Sequence, residues 1–558
     1  MLSCPFCYNP LTEDDEICSV CGTKIINESE KEIPETKLQH TSAKHSKRSP
    51  LDDALAKLHF KVTDALIKKA VTVFAVVLAI SIIISFFKPS NSLEYALYGK
   101  DEEVFISKVS NISPKQVTND YGENYFDNNL GISYRLSENG KKVFFFDYGS
   151  NNLYYRTSKL NKESIFLASN VLNYDINESA NLLTYLKDGN ELYQHNLKNQ
   201  LNMIDNNVVS FVVSDDGKTV LYTKFIDNAY SVYRYKFGKV SELAIADISS
   251  ISHISDDLKT IIYVKKGNLF KEKIGSKAQK ISINIDRVIK VYDENRLYFT
   301  AKDPETSTDS LYYYSGKKAK CVINDFNGFT ECAEENSAIA FRVTKDGKAT
   351  YFIAVEDKVS EINKSVFDNV YVDPSGNSIH FIADADPKTY IGDLYKASIS
   401  KNGVKNVKLI DKKVYGGKYL DKGKFAYLKN YNSQNISGEV FINGKSLGVD
   451  ISWLEMKYNS KKDSLIFFRN TNGRIGDMYV YKNGKSKIIS ENILISNYCI
   501  TENGNILYLA DFSETYSVGD LYLFNGSKSK GVDLGVSYIA EVYNDEKFSE
   551  FMRNTMIS

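Results

Sequence analysis

The chain has 558 residues, more than one ordinary core serves, so several domains or one large repeat domain are required. Lys+Arg and Asp+Glu both number 70, and nothing in a formal net charge of zero points to nucleic-acid binding, which needs a basic face. Tyr (39) and Phe (30) are abundant and Pro (9) is scarce, a bias toward pleated strands.

The first element is a cysteine cluster at residues 1–25. Cys4-Pro-Phe-Cys7 and Cys18-Ser-Val-Cys21-Gly22 form two C-x-x-C knuckles. Each can aim two sulfurs at one ion from a tight turn, and Gly22 permits the positive φ such turns need. Four thiolates suit one closed, tetrahedral structural Zn2+ site, and a segment this short has no core of its own to hold it. A redox dithiol would need a βαβ scaffold, which this segment lacks. Residues Ser3 to Ile25 resemble the short zinc ribbons at the cytosolic front of many bacterial membrane proteins, with Tyr8 departing from the usual Gly after the first knuckle. The resemblance implies a structural or docking role for Cys4, Cys7, Cys18 and Cys21. Glu13, Asp14, Asp15 and Glu16 argue against nucleic acid as the partner.

Residues 26–48 are polar, without apolar period, and read as a flexible linker. Residues 49–69 read as a juxtamembrane amphipathic helix. Ser49 caps it, Pro50 suits its first turn, and Leu51, Leu55, Leu58, Val62 and Leu66 share a face. That face serves either the lipid headgroups or a homodimer through residues 51–69. Ala70 to Phe87 then runs without charge, Gly or Pro, as a transmembrane helix at 70–88 requires. Lys57, Lys61, Lys68 and Lys69 precede the span, whereas only Lys88, then Glu94, Lys100, Asp101, Glu102 and Glu103, follow it. The positive-inside rule therefore places the N-terminus in the cytosol and everything after the span outside the cell membrane.

Residues 89–124 fit no repeat and are expected to be a stalk or cap, partly helical over 93–109. From about 125 to 545 one element recurs: a short apolar strand, a polar turn, and a second apolar strand. Ser137-Glu-Asn-Gly-Lys, Ser214-Asp-Asp-Gly-Lys, Ser255-Asp-Asp-Leu-Lys, Asp373-Pro-Ser-Gly-Asn and Thr501-Glu-Asn-Gly-Asn mark its clearest turns. Weaker copies start near Asn177, Asp293, Glu334, Leu420 and Asn459. Third strands such as Asp393-Leu-Tyr395 and Asp520-Leu-Tyr-Leu523 follow, then a fourth. The spacing is that of a four-stranded propeller blade, which cannot cover its own faces and must stack. Inner strands are apolar on consecutive positions and outer ones alternate, as stacking between neighbours demands. The turn at Ser214 to Tyr222 resembles the TolB-type (WD40-like) β-propeller repeat, which implies an all-β propeller of about 8–10 blades in one or two rings. A strand from Gly531 to Tyr543 is available to close a ring, and residues 546–558 form a tail.

Chemistry is sparse in this region. His195, His253 and His380 read as packed core histidines, and no nucleophile elbow, zincin motif or Walker loop occurs. Asp215, Asp216, Asp256 and Asp257 sit where turns form, as do Asp384 and Asp386, so turn building is expected of them before calcium binding. Cys321 and Cys332 are spaced for a hairpin disulfide, leaving Cys499 alone. The expected function is a membrane-anchored surface receptor or scaffold. Its extracytoplasmic propeller binds a protein, peptide or wall glycan, and its zinc ribbon docks a cytosolic partner. The alternatives are a polymer-degrading enzyme (a glycan lyase or hydrolase) with its site in the propeller channel, and a structural spacer in an envelope assembly.

Overall fold

The computed structural model describes Leu2–Ser3, Pro10–Leu11 and, with breaks, residues 95–539. The chain divides into two compact units, Met1–Asn91 and Ser92–Ser558. In the first, Leu2–Ser3 pairs antiparallel with Pro10–Leu11. Cys4, Cys7, Cys18 and Cys21, the linker, the amphipathic segment and the apolar span at 70–88 lie outside the described residues, as does the tail. Among the described residues there is no helix.

The described strands of the second unit form eleven four-stranded antiparallel blades. Ten are continuous in sequence, at 134–168, 171–205, 208–248, 250–282, 285–323, 330–361, 366–414, 416–452, 457–494 and 498–536. The remaining blade, first in the stack, takes Tyr95–Lys100, Glu103–Lys108 and Lys115–Gln116 from the front of the domain and Tyr538–Ile539 from its end. Blades are numbered here with this one as the first. A single bridge, Ile451 to Arg469, links the ninth blade to the tenth.

Burial is greatest in the second strand of each blade and least in the fourth. Second strands are covered on both sides: in Arg296–Lys302 five consecutive residues are buried. Third strands alternate, as in Ile475–Lys482, and fourth strands such as Lys485–Leu494 lie largely in solvent. First strands of successive blades touch one another, which places them on the inner edge. This is the consequence of stacking that the consecutive apolar positions anticipate.

One device repeats in all eleven blades. An aromatic residue on the second strand lies opposite an aromatic on the third, from Tyr98–Phe105 in the first blade, through Tyr222–Tyr233 and Phe299–Tyr312, to Tyr508–Tyr522 in the last. Their ring centroids are 5.9, 5.4, 5.4 and 5.7 Å apart, and the planes are nearly parallel. Direct cross-strand partners in an antiparallel pair are close enough for such stacking, which adds to the burial of each ring. The abundance of Tyr and Phe is thereby explained by packing.

The stack is continuous. Core clusters join each blade to the next from the second to the eleventh, and a further cluster joins the eleventh to the first through Ala96, Tyr98, Leu509, Leu521 and Ile539. That last cluster also takes in Ile475 and Leu494 of the tenth blade; among the described residues every other cluster spans two successive blades, so the blades form one series. Closure is tight. Ser537 N–H donates to Gly99 O at 2.8 Å, and Asn497 holds Ile539 by both its amide groups, at 2.6 and 3.2 Å. A Cβ on Gly99 would lie 1.8 Å from the Tyr538 ring, so only glycine lets the closing strand pass.

Two expectations are corrected here. The segment expected as a partly helical stalk supplies the strands Tyr95–Lys100 and Glu103–Lys108 of a blade, because Tyr98 and Phe105 form the same aromatic pair as every other blade. The count is eleven, above the expected eight to ten. The closing strand from the 531–543 region is found at Tyr538–Ile539, paired with Tyr98 and Gly99.

Candidate functional site

All blades run in the same sense. The turns between first and second strands, and between third and fourth, therefore emerge on one face of the stack. The loops between second and third strands, and between successive blades, emerge on the other. These are the turn face and the loop face.

The turn face is built by short polar side chains. Ser214 Oγ donates to Asp216 Oδ1 at 2.6 Å, Lys218 N–H donates to the same oxygen at 3.0 Å, and Thr219 N–H donates to Ser214 Oγ at 2.9 Å. Ser255, Asp257, Lys259 and Thr260 repeat the pattern. The serine hydroxyl bond, first among the causes, holds Asp216 below the usual carboxylate range and brings Asp257 down to about 2. Neighbouring turns are stitched together: Asn177, Asn336 and Asn459 donate to Asp215 O, Ser375 O and Gly504 O at 2.5, 2.6 and 2.8 Å, and Gly423 N–H donates to Asp373 Oδ2 at 2.9 Å. The turn carboxylates are therefore turn builders, as their spacing implies. Asp386 likewise caps its own loop by accepting from Lys388 N–H at 2.7 Å. No group of three or more His, Cys, Asp or Glu is gathered for a metal among the described residues.

The loop face differs. Phe225, Ile226, Ile283, Tyr390, Ile391, Ile436, Leu454 and Tyr516 all lie exposed there, whereas Val240 is the exposed large apolar side chain in the described turns of the opposite face. Five of these, from Tyr390 to Tyr516, fall on the eighth to eleventh blades. Beneath them the blades are clamped by a repeated triad. Asp205 accepts from Tyr222 Oη at 2.7 Å and Lys224 Nζ at 2.8 Å, Asp411 from Tyr427 and Lys429 at 3.0 Å each, and Asp533 from Tyr98 at 2.8 Å and Lys100 at 3.0 Å. Burial alone would raise these carboxyls; the lysine and tyrosine bonds outweigh it and leave all three below their ordinary values. Burial also pushes Tyr98, Tyr222 and Tyr427 well up, so their hydroxyls stay protonated donors.

The inner edge of these same blades gathers the least ordinary side chains. Lys418 Nζ donates to Trp453 O at 2.6 Å and stands 4.8 Å from the centre of that ring. Burial pushes its ammonium down to about 8, with Glu455 acting against the shift. Lys457 lies 4.5 Å over Tyr498, whose buried hydroxyl has no hydrogen-bond partner among the described residues. Two blades away, burial raises Glu331 to about 7 although Val372 N–H donates to it at 3.0 Å. These are separate contacts on the inner strands and adjoining loops of the seventh to eleventh blades. Apart from the chain's single tryptophan, no sequence pattern marks these residues.

The remaining candidates fall into place. His380 is buried, its Nδ1 2.7 Å from Tyr419 Oη and its ring stacked 3.9 Å from Phe425. Burial first, then Lys396, brings it down to about 3, so it is a neutral packed histidine. His195 is lowered by burial as well. Cys321 and Cys332 are not joined: they lie on the outer strand of the sixth blade and the inner strand of the seventh, and no hairpin connects them. Burial raises the Cys332 thiol to about 11.

No protein-family model matches the sequence, and no curated protein matches it. Solved structures share the layout only distantly. A eukaryotic initiation factor is 8% identical with a TM-score of 0.37, covering 72% of this chain and 96% of its own. The β-propeller domain of the Trilobed protease from Pyrococcus furiosus is 13% identical with a TM-score of 0.24, covering 50% and 94%. TolB from Agrobacterium tumefaciens is 13% identical with a TM-score of 0.21, covering 36% and 83%. At such scores the propeller assignment rests on this chain's own strand order and blade stacking.

Proposed function

We propose that the chain is a single-pass membrane protein whose blades face the cell exterior and bind a protein partner through the loop face. The observation that carries this reading is the one-sided exposure of large apolar side chains, concentrated on the eighth to eleventh blades. Apolar and aromatic anchors ringed by polar groups are the usual makings of a protein interface. The uncharged stretch at 70–87 and its lysine-rich leading flank support the anchor and its orientation. Cys4, Cys7, Cys18 and Cys21 would hold one structural zinc ion in the cytosolic segment. The all-thiolate donor set and the pairing of Leu2–Ser3 with Pro10–Leu11, on either side of the first knuckle in sequence, support that assignment.

The test uses photo-crosslinking residues placed singly at Tyr516, Leu454 and, on the opposite face, Val240 of the full chain in intact cells. The reading requires a discrete crosslinked protein from the first two positions and none from the third. Equal crosslinking from both faces, or survival of the blades when trypsin is added to whole cells, would refute it. Zinc content measured after acid release should be one ion per chain and fall to zero when Cys4 and Cys18 are replaced by serine.

A further inference from the structure

The turn face is not uniform. Between the ninth and tenth blades it opens into a cleft of about 260 Å3. Three lysines line it, Lys424, Lys445 and Lys482, against one carboxylate, Asp463. Asp463 is already engaged: Lys424 Nζ lies 2.9 Å from its Oδ1, and Tyr458 Oη donates to the same oxygen. These bonds, with that of Tyr458 first, hold the Asp463 carboxyl below its usual range, so it stays charged and satisfied. Lys445 and Lys482 make no ion pair among the described residues and leave the cleft positive.

The other walls have different chemistry. Leu420, Ile442 and Leu465 form an apolar side, and Tyr481 stands next to it. Lys445 and Lys482 flank two Asn-Gly turns, Asn443-Gly444 and Asn483-Gly484, in which all four residues have positive φ. That is the backbone of a tight hairpin turn and sets both turns at the same height on adjacent blades. Asn443 and Asn483 also line the cleft, and the Asn443 side-chain oxygen accepts from Phe425 N–H at 3.3 Å, which leaves its amide N–H groups as donors.

We infer that this cleft binds one sugar ring carrying a carboxylate or a phosphate, as a unit of an anionic polysaccharide or sugar-phosphate polymer. The volume lies below the roughly 300 to 1,000 Å3 of sites that take drug-sized molecules, which suits a single ring. A tyrosine beside an aliphatic wall matches the C–H face of a pyranose, the asparagines match its hydroxyls, and Lys445 and Lys482 match its anionic group. A flexible acidic peptide would use the lysines but leave the tyrosine wall empty. This site is on the face opposite to the proposed protein interface, so either assignment can fail alone.

The test is calorimetric titration of the full-length chain with trigalacturonate, its fully methyl-esterified form, glucose 6-phosphate and triglutamate. Trigalacturonate, glucose 6-phosphate or both should bind, and a preference between them identifies the carboxylate or the phosphate source. K445Q/K482Q should weaken that binding at least about tenfold with the melting temperature unchanged; Y481S should weaken it as well while lowering the melting temperature, because Tyr481 also packs on the core between the two blades. The exposed outer-strand pair K408Q/K530Q should leave it unaltered. The inference is overturned if the methyl ester binds as tightly as the acid, if triglutamate competes equally, if K408Q/K530Q matches K445Q/K482Q, or if neither sugar binds at about 10 mM.

Discussion

The two faces of the stack are made from the same blades yet obey different rules. On the turn face each connection is short and its polar groups are satisfied locally, by Ser214 and Asp216 within one turn and by Asn336 or Asp373 toward the next. On the loop face the connections vary from the tight Asp188–Asn190 turn to the loop around Asp386, and they carry the exposed Tyr390, Leu454 and Tyr516. The difference teaches that regular turns fix the spacing of blades, which leaves the other face to vary in length and chemistry without disturbing the core.

The contrast can be broken most severely at closure, where both faces depend on one strand. Gly99→Val should expel Tyr538–Ile539, lower the melting temperature by about 5 °C or more, and expose the C-terminal end to limited proteolysis. Next comes the clamp beneath the loop face. Asp411→Ala strands the Tyr427 hydroxyl and the Lys429 ammonium and should cost about 2–3 kcal/mol in denaturant unfolding. Adding Lys429→Met should recover part of that loss in a double-mutant cycle. On the turn face, Asp373→Ala removes acceptors for Ser375 N–H and for Gly423 N–H of the next blade, at a cost of about 1–2 kcal/mol.

A pH series sharpens the comparison at the inner edge. Glu331 is raised from 4.5 to about 7, so the folded chain holds its proton more tightly than the unfolded one. That stabilisation is present below about pH 4.5 and is lost as pH rises through 7. Glu331→Gln should abolish this slope and raise stability at pH 8 by about 1 kcal/mol. His380 acts in the opposite direction. Its folded value near 3, against 6.5 unfolded, makes the chain lose stability as pH falls from about 6.5 toward 3. The smallest stability effect belongs to the loop face: Leu454→Ser and Tyr516→Ser should change unfolding by no more than about 0.5 kcal/mol while abolishing partner crosslinking.

Much of the fold was legible because it repeats. All ten turn positions read from the sequence, from Ser137 to Thr501, fall at the end of the first strand or in the connection to the second in the second to eleventh blades. The blade that escaped was the first, for a topological reason. The recognisable mark is the turn between first and second strands, and there those strands come from opposite ends of the domain, Tyr538–Ile539 and Tyr95–Lys100. No such turn exists to be read. Tyr98-Gly-Lys100 did carry the same Tyr-x-Lys pattern as Tyr222-Thr-Lys224 and Tyr427-Leu-Lys429, but its meaning depends on Asp533, which lies 433 residues after Lys100.

By itself the sequence determined the strand-rich class, the blade period, the turn-building role of Asp216, Asp257 and Asp386, and the packed role of His380. Each follows from local pattern and side-chain chemistry within a few residues. Tertiary structure alone decided which blade closes on which, that Cys321 and Cys332 sit on different blades, and that Lys418 meets Trp453 while Lys445 and Lys482 line one cleft. Those pairings join segments from adjacent blades or opposite chain ends, and only the stacking of one blade on the next brings them together.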